Sequence, residues 1–148
     1  MNIIIKEFNE ISSSEMYAIL ALRSAIFVVE QDCVYQDIDY KDQKATHIFG
    51  IKDGKIVAYT RIFKSGIYCK EASIGRVAVA KSDRSFGYGK VIMQASIEAI
   101  SKIYGEKIIK ISAQTYLKKF YNSLGFLEEG AGYLEDGIPH IAMIRKES

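Results

Sequence analysis

Two β-rich runs, His47 to Lys52 and Lys55 to Lys64, are joined by Asp53-Gly54 alone. Asp-Gly readily supplies the positive-φ positions that a two-residue turn requires, so the runs must fold back on each other as an antiparallel hairpin. Glu71 to Ala80 then reads as a third antiparallel strand. Ahead of the hairpin, Ile3-Ile4-Ile5 and Phe8 make a short first strand, and Ser12-x-x-Glu15 is a capping box that satisfies open N–H groups at a helix start. The helix expected from Ser13 to Val29 is apolar nearly all round from Met16 on, which implies burial on several sides. Gln31 to Thr46 is polar and acidic without either periodicity, and reads as loop or irregular helix.

After a polar loop, Val91, Ile92, Ala95, Ala99, Ile100 and Ile103 recur at helical spacing with Gln94, Glu98 and Lys102 opposite. Ile109, Ile111 and Ala113 alternate in the strand Lys107 to Gln114; Leu117, Phe120, Tyr121 and Leu124 then share a helical face that ends at Gly125. A strand near Phe126 to Leu134, the turn Glu135-Asp136-Gly137 and a last strand Ile138 to Ile144 complete the order β-α-β-β-β-α-β-α-β-β. Pro139, the single proline, stands at the entrance to that last strand, where a missing N–H is tolerated. Hairpins mixed with helical crossovers predict an α/β (α+β mixed) sheet. With 148 residues, 49% of them apolar, and no internal repeat or linker, the expectation is one domain over residues 1–148.

Charge and cysteine usage narrow the function classes. Twenty basic against 18 acidic residues, with no run longer than pairs such as Lys118-Lys119, leave no stripe for nucleic acid. The apolar stretch Met16 to Val29 is split by Arg23-Ser24, far short of the roughly 20 residues of a bilayer span, so no membrane partner is expected. The N-terminus has no export signature, and Cys33 and Cys69 form no CxxC or Cys/His cluster; both are read as reduced thiols in a cytoplasmic protein. Asp37, Asp39 and Asp42 lack the glycine and terminal glutamate of an EF-hand loop, and no metal is expected.

The segment richest in chemistry is Ile74 to Val79 followed by Arg84-Ser-Phe-Gly-Tyr-Gly-Lys90 and the amphipathic helix. Gly87 and Gly89 let a ligand approach the backbone, free N–H groups at a helix start attract anions, and Arg84 and Lys90 add positive charge, so a diphosphate fits. A dinucleotide fingerprint fails because Ile92 stands where its third glycine belongs, and no GxxxxGK[ST] P-loop is present.

Strand, Arg84-x-x-Gly87-x-Gly89 and helix resemble the acyl-CoA pyrophosphate loop of the GNAT superfamily of N-acetyltransferases, and Phe120-Tyr121-x-x-x-Gly125-Phe126 is similar to that superfamily's later motif. The strings Leu22-Arg-Ser-Ala-Ile-Phe-Val-Val-Glu-Gln31, Tyr35-x-Asp-x-Asp39 and Glu135-Asp-Gly-Ile-Pro-His-Ile141 resemble its ElaA-type branch. The resemblance implies a central, mostly antiparallel sheet of about seven strands, with a parallel pair splayed around acetyl-CoA and helices on its flanks. It implies that Val77, Ala78 and Val79 pair with the pantetheine as an added strand. By the same resemblance Ser85, Phe86, Gly87, Tyr88, Gly89 and Lys90 hold the pyrophosphate with Arg84, and Gln114 and Phe120 border the cofactor.

The implied reaction is direct transfer of an acetyl group to an amine of a small molecule or peptide. Tyr121 matches the position that protonates the leaving thiolate; its alternative is an apolar-face residue beside Leu117, Phe120 and Leu124. Many relatives place a base on the strand before the loop, but Ser73-Ile74-Gly75-Arg76 offers none, so Glu30 is the substitute, with His47 and His140 as alternatives. For the acceptor pocket the candidates are Arg23, Gln31, His47, Arg61, Arg76 and His140, while an internal ion pair to the acidic stretch 32–42 is the other reading of Arg23. A noncatalytic acyl-CoA-binding module is the alternative function, a structural interaction domain a third, and the chain is expected as a monomer or homodimer.

Overall fold

A computed structural model describes residues 1–146. Among them seven strands form one sheet in the order β1-β2-β3-β4-β5-β7-β6. The strands are β1 (Asn2–Glu7), β2 (Thr46–Lys52), β3 (Lys55–Phe63), β4 (Ala72–Val79), β5 (Ile108–Gln114), β6 (Phe126–Glu135) and β7 (Ile138–Lys146). Every neighbouring pair is antiparallel except β4 and β5, which run parallel. The helices are α1 (Ser13–Ser24), α2 (Tyr88–Ala99) and α3 (Lys118–Asn122). The order is the one read from the sequence.

Both Asp-Gly turns have the geometry their residues favour. Asp53 and Gly54 lie at φ +51° and +76°, Asp136 and Gly137 at +52° and +76°, the two positive-φ positions of a type I′ hairpin, whose twist matches that of its strands. At the start of α1, Ser12 Oγ accepts from the Glu15 N–H at 3.1 Å and Glu15 Oε1 accepts from the Ser12 N–H at 2.9 Å. α1 runs on without interruption into a π-helical turn, Ala25–Glu30, and α2 into another, Ile100–Tyr104, that Gly105 ends at φ +68°.

The sheet separates two apolar layers. Ile48, Ile62, Ile74, Ile109, Ile111 and Met143 face Ile92, Met93 and Ile100 of α2 and its extension. Phe49, Tyr59 and Ala78 on the opposite face pack with Ile19, Ile26 and Phe27 of α1 and its extension. Burial on several sides, expected for this helix, is not found: within α1 only Ile19 and Arg23 are buried, and Tyr17 and, in the π-helical turn, Val29 are exposed.

The acidic stretch after α1 is irregular, as expected, and is tied down by ion pairs. Arg23, fully buried, donates from Nε to Asp37 Oδ2 at 2.9 Å and from NH1 to Asp42 Oδ1 at 2.8 Å. Arg61 of β3 donates to the same Asp42 oxygen at 2.8 Å and to Asp39 at 2.8 and 2.5 Å, and Arg76 of β4 pairs with Asp37 at 2.7 Å. A short 3-10 turn, Asp42–Lys44, then leads into β2.

Candidate active site

The site begins where the sheet comes apart. β4 and β5 pair only at Ala72 with Ile109 and Ser73 with Lys110; beyond those residues the strands separate. A bulge on β4 accompanies the separation: Gly75 lies opposite Arg61 and Ala78 opposite Tyr59, so Arg76 and Val77 together face Thr60. The extra residue bends the strand, and Arg76 takes φ +50°, a conformation costing a non-glycine roughly 1 kcal/mol or more. Its guanidinium offsets that strain by pairing with the Asp37 carboxylate and donating to the Asp37 carbonyl at 2.8 Å.

The splay opens into a cleft of about 630 Å³. Val77, Ala78 and Val79 line one side, Gln114 the other, and Arg84, Gly87, Gly89 and Lys90 the end nearest α2. Gly87 has φ +75° and precedes α2, whose first N–H groups have no intrahelical acceptor. A Cβ built on Gly89 stands 3.6 Å from Phe120 Cζ and 3.9 Å from Val79 Cγ2, both cleft-lining side chains, so a side chain there would take cleft space. Unpaired strand backbone, free helix N–H groups and two cations in one cleft fit the pantetheine and diphosphate of an acyl-CoA.

Ser85, Phe86 and Tyr88 do not line this cleft. The rings of Phe86 and Tyr88 stack at 5.5 Å, and Lys52 Nζ lies 3.6 Å from the centre of the Phe86 ring. That cation–π contact directs both rings toward the β2–β3 hairpin.

Tyr121 lines the cleft from α3 and is only 6% exposed. Its ring meets Phe120 and Phe126 edge-on at 5.1 and 6.2 Å, and burial pushes its phenol up to about 12. Glu30 also reaches the cleft, but its two oxygens accept from Arg84 NH1 and NH2 at 2.5 and 2.6 Å. The Arg84 fork holds the Glu30 carboxyl below the ordinary carboxylate range. The expected base and the expected diphosphate ligand are thus engaged with each other.

Three of the residues expected at the acceptor pocket lie elsewhere. Arg23 and Arg61 are consumed by the aspartate network, and neither lines the main cleft. His47, fully buried, places Nδ1 2.6 Å from the Tyr59 hydroxyl and Nε2 2.8 Å from the Asp42 carbonyl, and burial depresses its basicity. Arg76, Gln31 and His140 do line the cleft. His140 Nδ1 lies 2.7 Å from the Ile138 carbonyl, and Nε2 lies 3.5 Å from Glu135 Oε2. Because a carbonyl only accepts, Nδ1 carries a proton toward Ile138.

Glu135, Asp136, Ser112, Tyr35 and Tyr116 also line the cleft and were not foreseen as site residues. The sequence marks Glu135-Asp136-Gly137 as a turn, and only the return of β7 beside β5 brings that turn to the splay.

Residues 11–147 match the family model described as an acetyltransferase (GNAT) domain. The chain belongs to the GNAT acetyltransferase family. Protein ElaA of Escherichia coli (strain K12) is 43% identical over 140 residues, covering 93% of this chain and 92% of that protein. Its crystal structure superposes with a TM-score of 0.91 at 40% identity, covering 98% of this chain and 99% of that one, and the similarity extends to the ElaA-type branch. An acyl-CoA N-acyltransferase from Pseudomonas aeruginosa superposes with a TM-score of 0.92 at 33% identity, covering 98% and 99%. This GNAT chain is an acyl-CoA-dependent acyltransferase. Among the described residues, no helix is long and apolar enough to cross a membrane and no cluster suits a metal ion.

Proposed function

We propose that the chain transfers an acetyl group from acetyl-CoA directly to a primary amine of a small molecule or peptide, in the cytoplasm. The observation that carries this reading is the splay between β4 and β5, with an anion-binding helix start at one end and a buried tyrosine in its wall. Two free thiols, Cys33 and Cys69, accord with a reducing compartment.

Acetyl-CoA supplies the activated acetyl group as a thioester. Val77 and Val79 offer backbone groups to it, and Arg84, Lys90 and the N–H groups of Gly87, Gly89 and Lys90 hold its diphosphate. An amine must be neutral to attack, and in this reading His140, whose Nδ1 donates to the Ile138 carbonyl, takes its proton on Nε2. As the new C–N bond forms, the amine's second proton would pass to solvent; as the C–S bond breaks, Tyr121 Oη would give its proton to the sulfur and regain one from solvent. Burial keeps Tyr121 protonated, and because burial raises a thiol as it raises a phenol, the two stay closer than about 12 against an ordinary 8.5 suggests.

Replacing Tyr121 by Phe tests the reading. The kcat is expected to fall about 10²-fold with acyl-CoA affinity retained, and an unchanged kcat removes the acid role. Calorimetric CoA binding with no thiol release over a broad amine panel would replace the enzyme by a binding module.

A further inference from the structure

The splay is a window through the sheet. A second cavity, of about 170 Å³, is lined by Phe63, Tyr68, Cys69, Ser73, Lys110 and Tyr133 among others, and it shares Ile74, Gly75, Arg76, Ile111, Ser112 and Glu135 with the main cleft. The shared residues come from β4, β5 and the end of β6, so the two cavities meet at the gap between the strands. Tyr121 lies in the apolar layer on the α2 side. The registers place Phe63, Ser73 and Lys110 on one face of the sheet, the face opposite that layer.

Four charged residues line the second cavity, and three are already neutralised. Arg61 is held by Asp39 and Asp42, Arg76 by Asp37, and Lys110 Nζ lies 3.6 Å from Glu129. Glu135 pairs with no lysine or arginine among the described residues; it accepts from the Ser112 hydroxyl at 3.2 Å and lies 3.5 Å from His140 Nε2. Its carboxylate stands at the junction, where an ammonium entering the window must pass. Behind it the cavity is bordered by aromatic rings: Phe63 and Tyr68 stack at 5.1 Å, with Arg61 5.2 Å from the Phe63 ring centre and Lys41 Nζ 4.7 Å from that of Tyr68, and Tyr133 lies parallel to His140 at 6.2 Å. A volume several times the roughly 30 Å³ share of a liquid water has room for a single ring.

We infer that the acceptor is a primary amine borne on an aromatic ring system with no acidic group beside the amine, its ammonium held by Glu135 and its ring in the cavity among Phe63, Tyr68 and Tyr133. The inference rests on the transfer reading above and deepens it. The carboxylate attracts the cation, repels an α-carboxylate, and passes the amine to His140 for deprotonation at the window.

Steady-state assays with acetyl-CoA and three acceptors, phenethylamine, propylamine and phenylalanine, test it. The kcat/KM for phenethylamine is expected to exceed each of the others by about tenfold or more. Glu135→Gln should lower it about tenfold through KM and narrow the margin over phenylalanine. Tyr68→Ala, at a half-exposed ring, should raise KM for phenethylamine by a larger factor than KM for propylamine. Calorimetric titration of phenethylamine into the CoA-saturated protein should show weaker binding to the Gln variant, while CoA affinity is the same for both. Equal or better turnover of propylamine or phenylalanine, or a Gln variant indistinguishable from the parent, overturns the inference and leaves the transfer reading standing. Absence of turnover with all three overturns the inference too; CoA binding then decides whether the acyl-CoA site survives.

Discussion

Glu30 shows how a side chain's role changes once its partner is known. Its carboxylate and the Arg84 fork are 54 residues apart in sequence and 2.5 Å apart in space. The pair lies at the cleft, so a diphosphate arriving there must compete with Glu30 for the guanidinium. Glu30→Gln is therefore expected to tighten CoA binding, by calorimetry, and to leave the pH–rate profile in place, because a carboxyl held below its ordinary value has no titration near neutrality. His140→Gln is expected to lower kcat about 10²-fold, since the nitrogen that takes the amine's proton is then lost. Tyr121 was expected at the site from the resemblance carried by Phe120-Tyr121-x-x-x-Gly125-Phe126, since helical spacing alone marks it as an apolar-face residue, and it does line the cleft. The weights of Glu30, His47 and His140 were not, because each depends on what another segment brings against it.

At the scale of elements, the loop between α1 and β2 is held by charge where apolar packing is sparse. Burial alone raises the Asp39 and Asp42 carboxyls, but Arg61, joined at Asp42 by Arg23, overrides it and holds both below the ordinary range. A carboxyl lowered on folding contributes stability that is complete above the unfolded value, near 4, and lost as pH falls toward the folded one. Urea midpoints should therefore drop steeply between about pH 4 and pH 2. Asp42→Asn should flatten that limb and, by leaving Arg23 and Arg61 short of a counter-charge, reduce stability at neutral pH by about 3 kcal/mol. The sequence offered this pairing as one reading of Arg23, since a lone arginine in an apolar helix must find an anion. It did not show that three arginines from α1, β3 and β4 converge on the same three aspartates, nor that Arg76 sits on a bulge.

For the whole molecule, the decisive feature is that parallel pairing stops after two residue pairs. Backbone groups left facing the cleft should exchange with solvent until an acyl-CoA covers them. Hydrogen exchange by mass spectrometry is expected to show protection over Val77 to Val79 on addition of CoA, with β1 and β2 unaffected; an unchanged pattern would remove the added-strand geometry. The strand and helix order, both Asp-Gly hairpins, the α1 capping box and the glycine-bearing loop before α2 were all determined by sequence, because each depends on contacts between near neighbours. The length of the β4–β5 pairing, the window it leaves, and the meeting of Glu135 and His140 with Tyr121 at one cleft were decided only by tertiary structure. Those distances arise when strands far apart in sequence are brought side by side, and no local spacing encodes where two such strands stop touching.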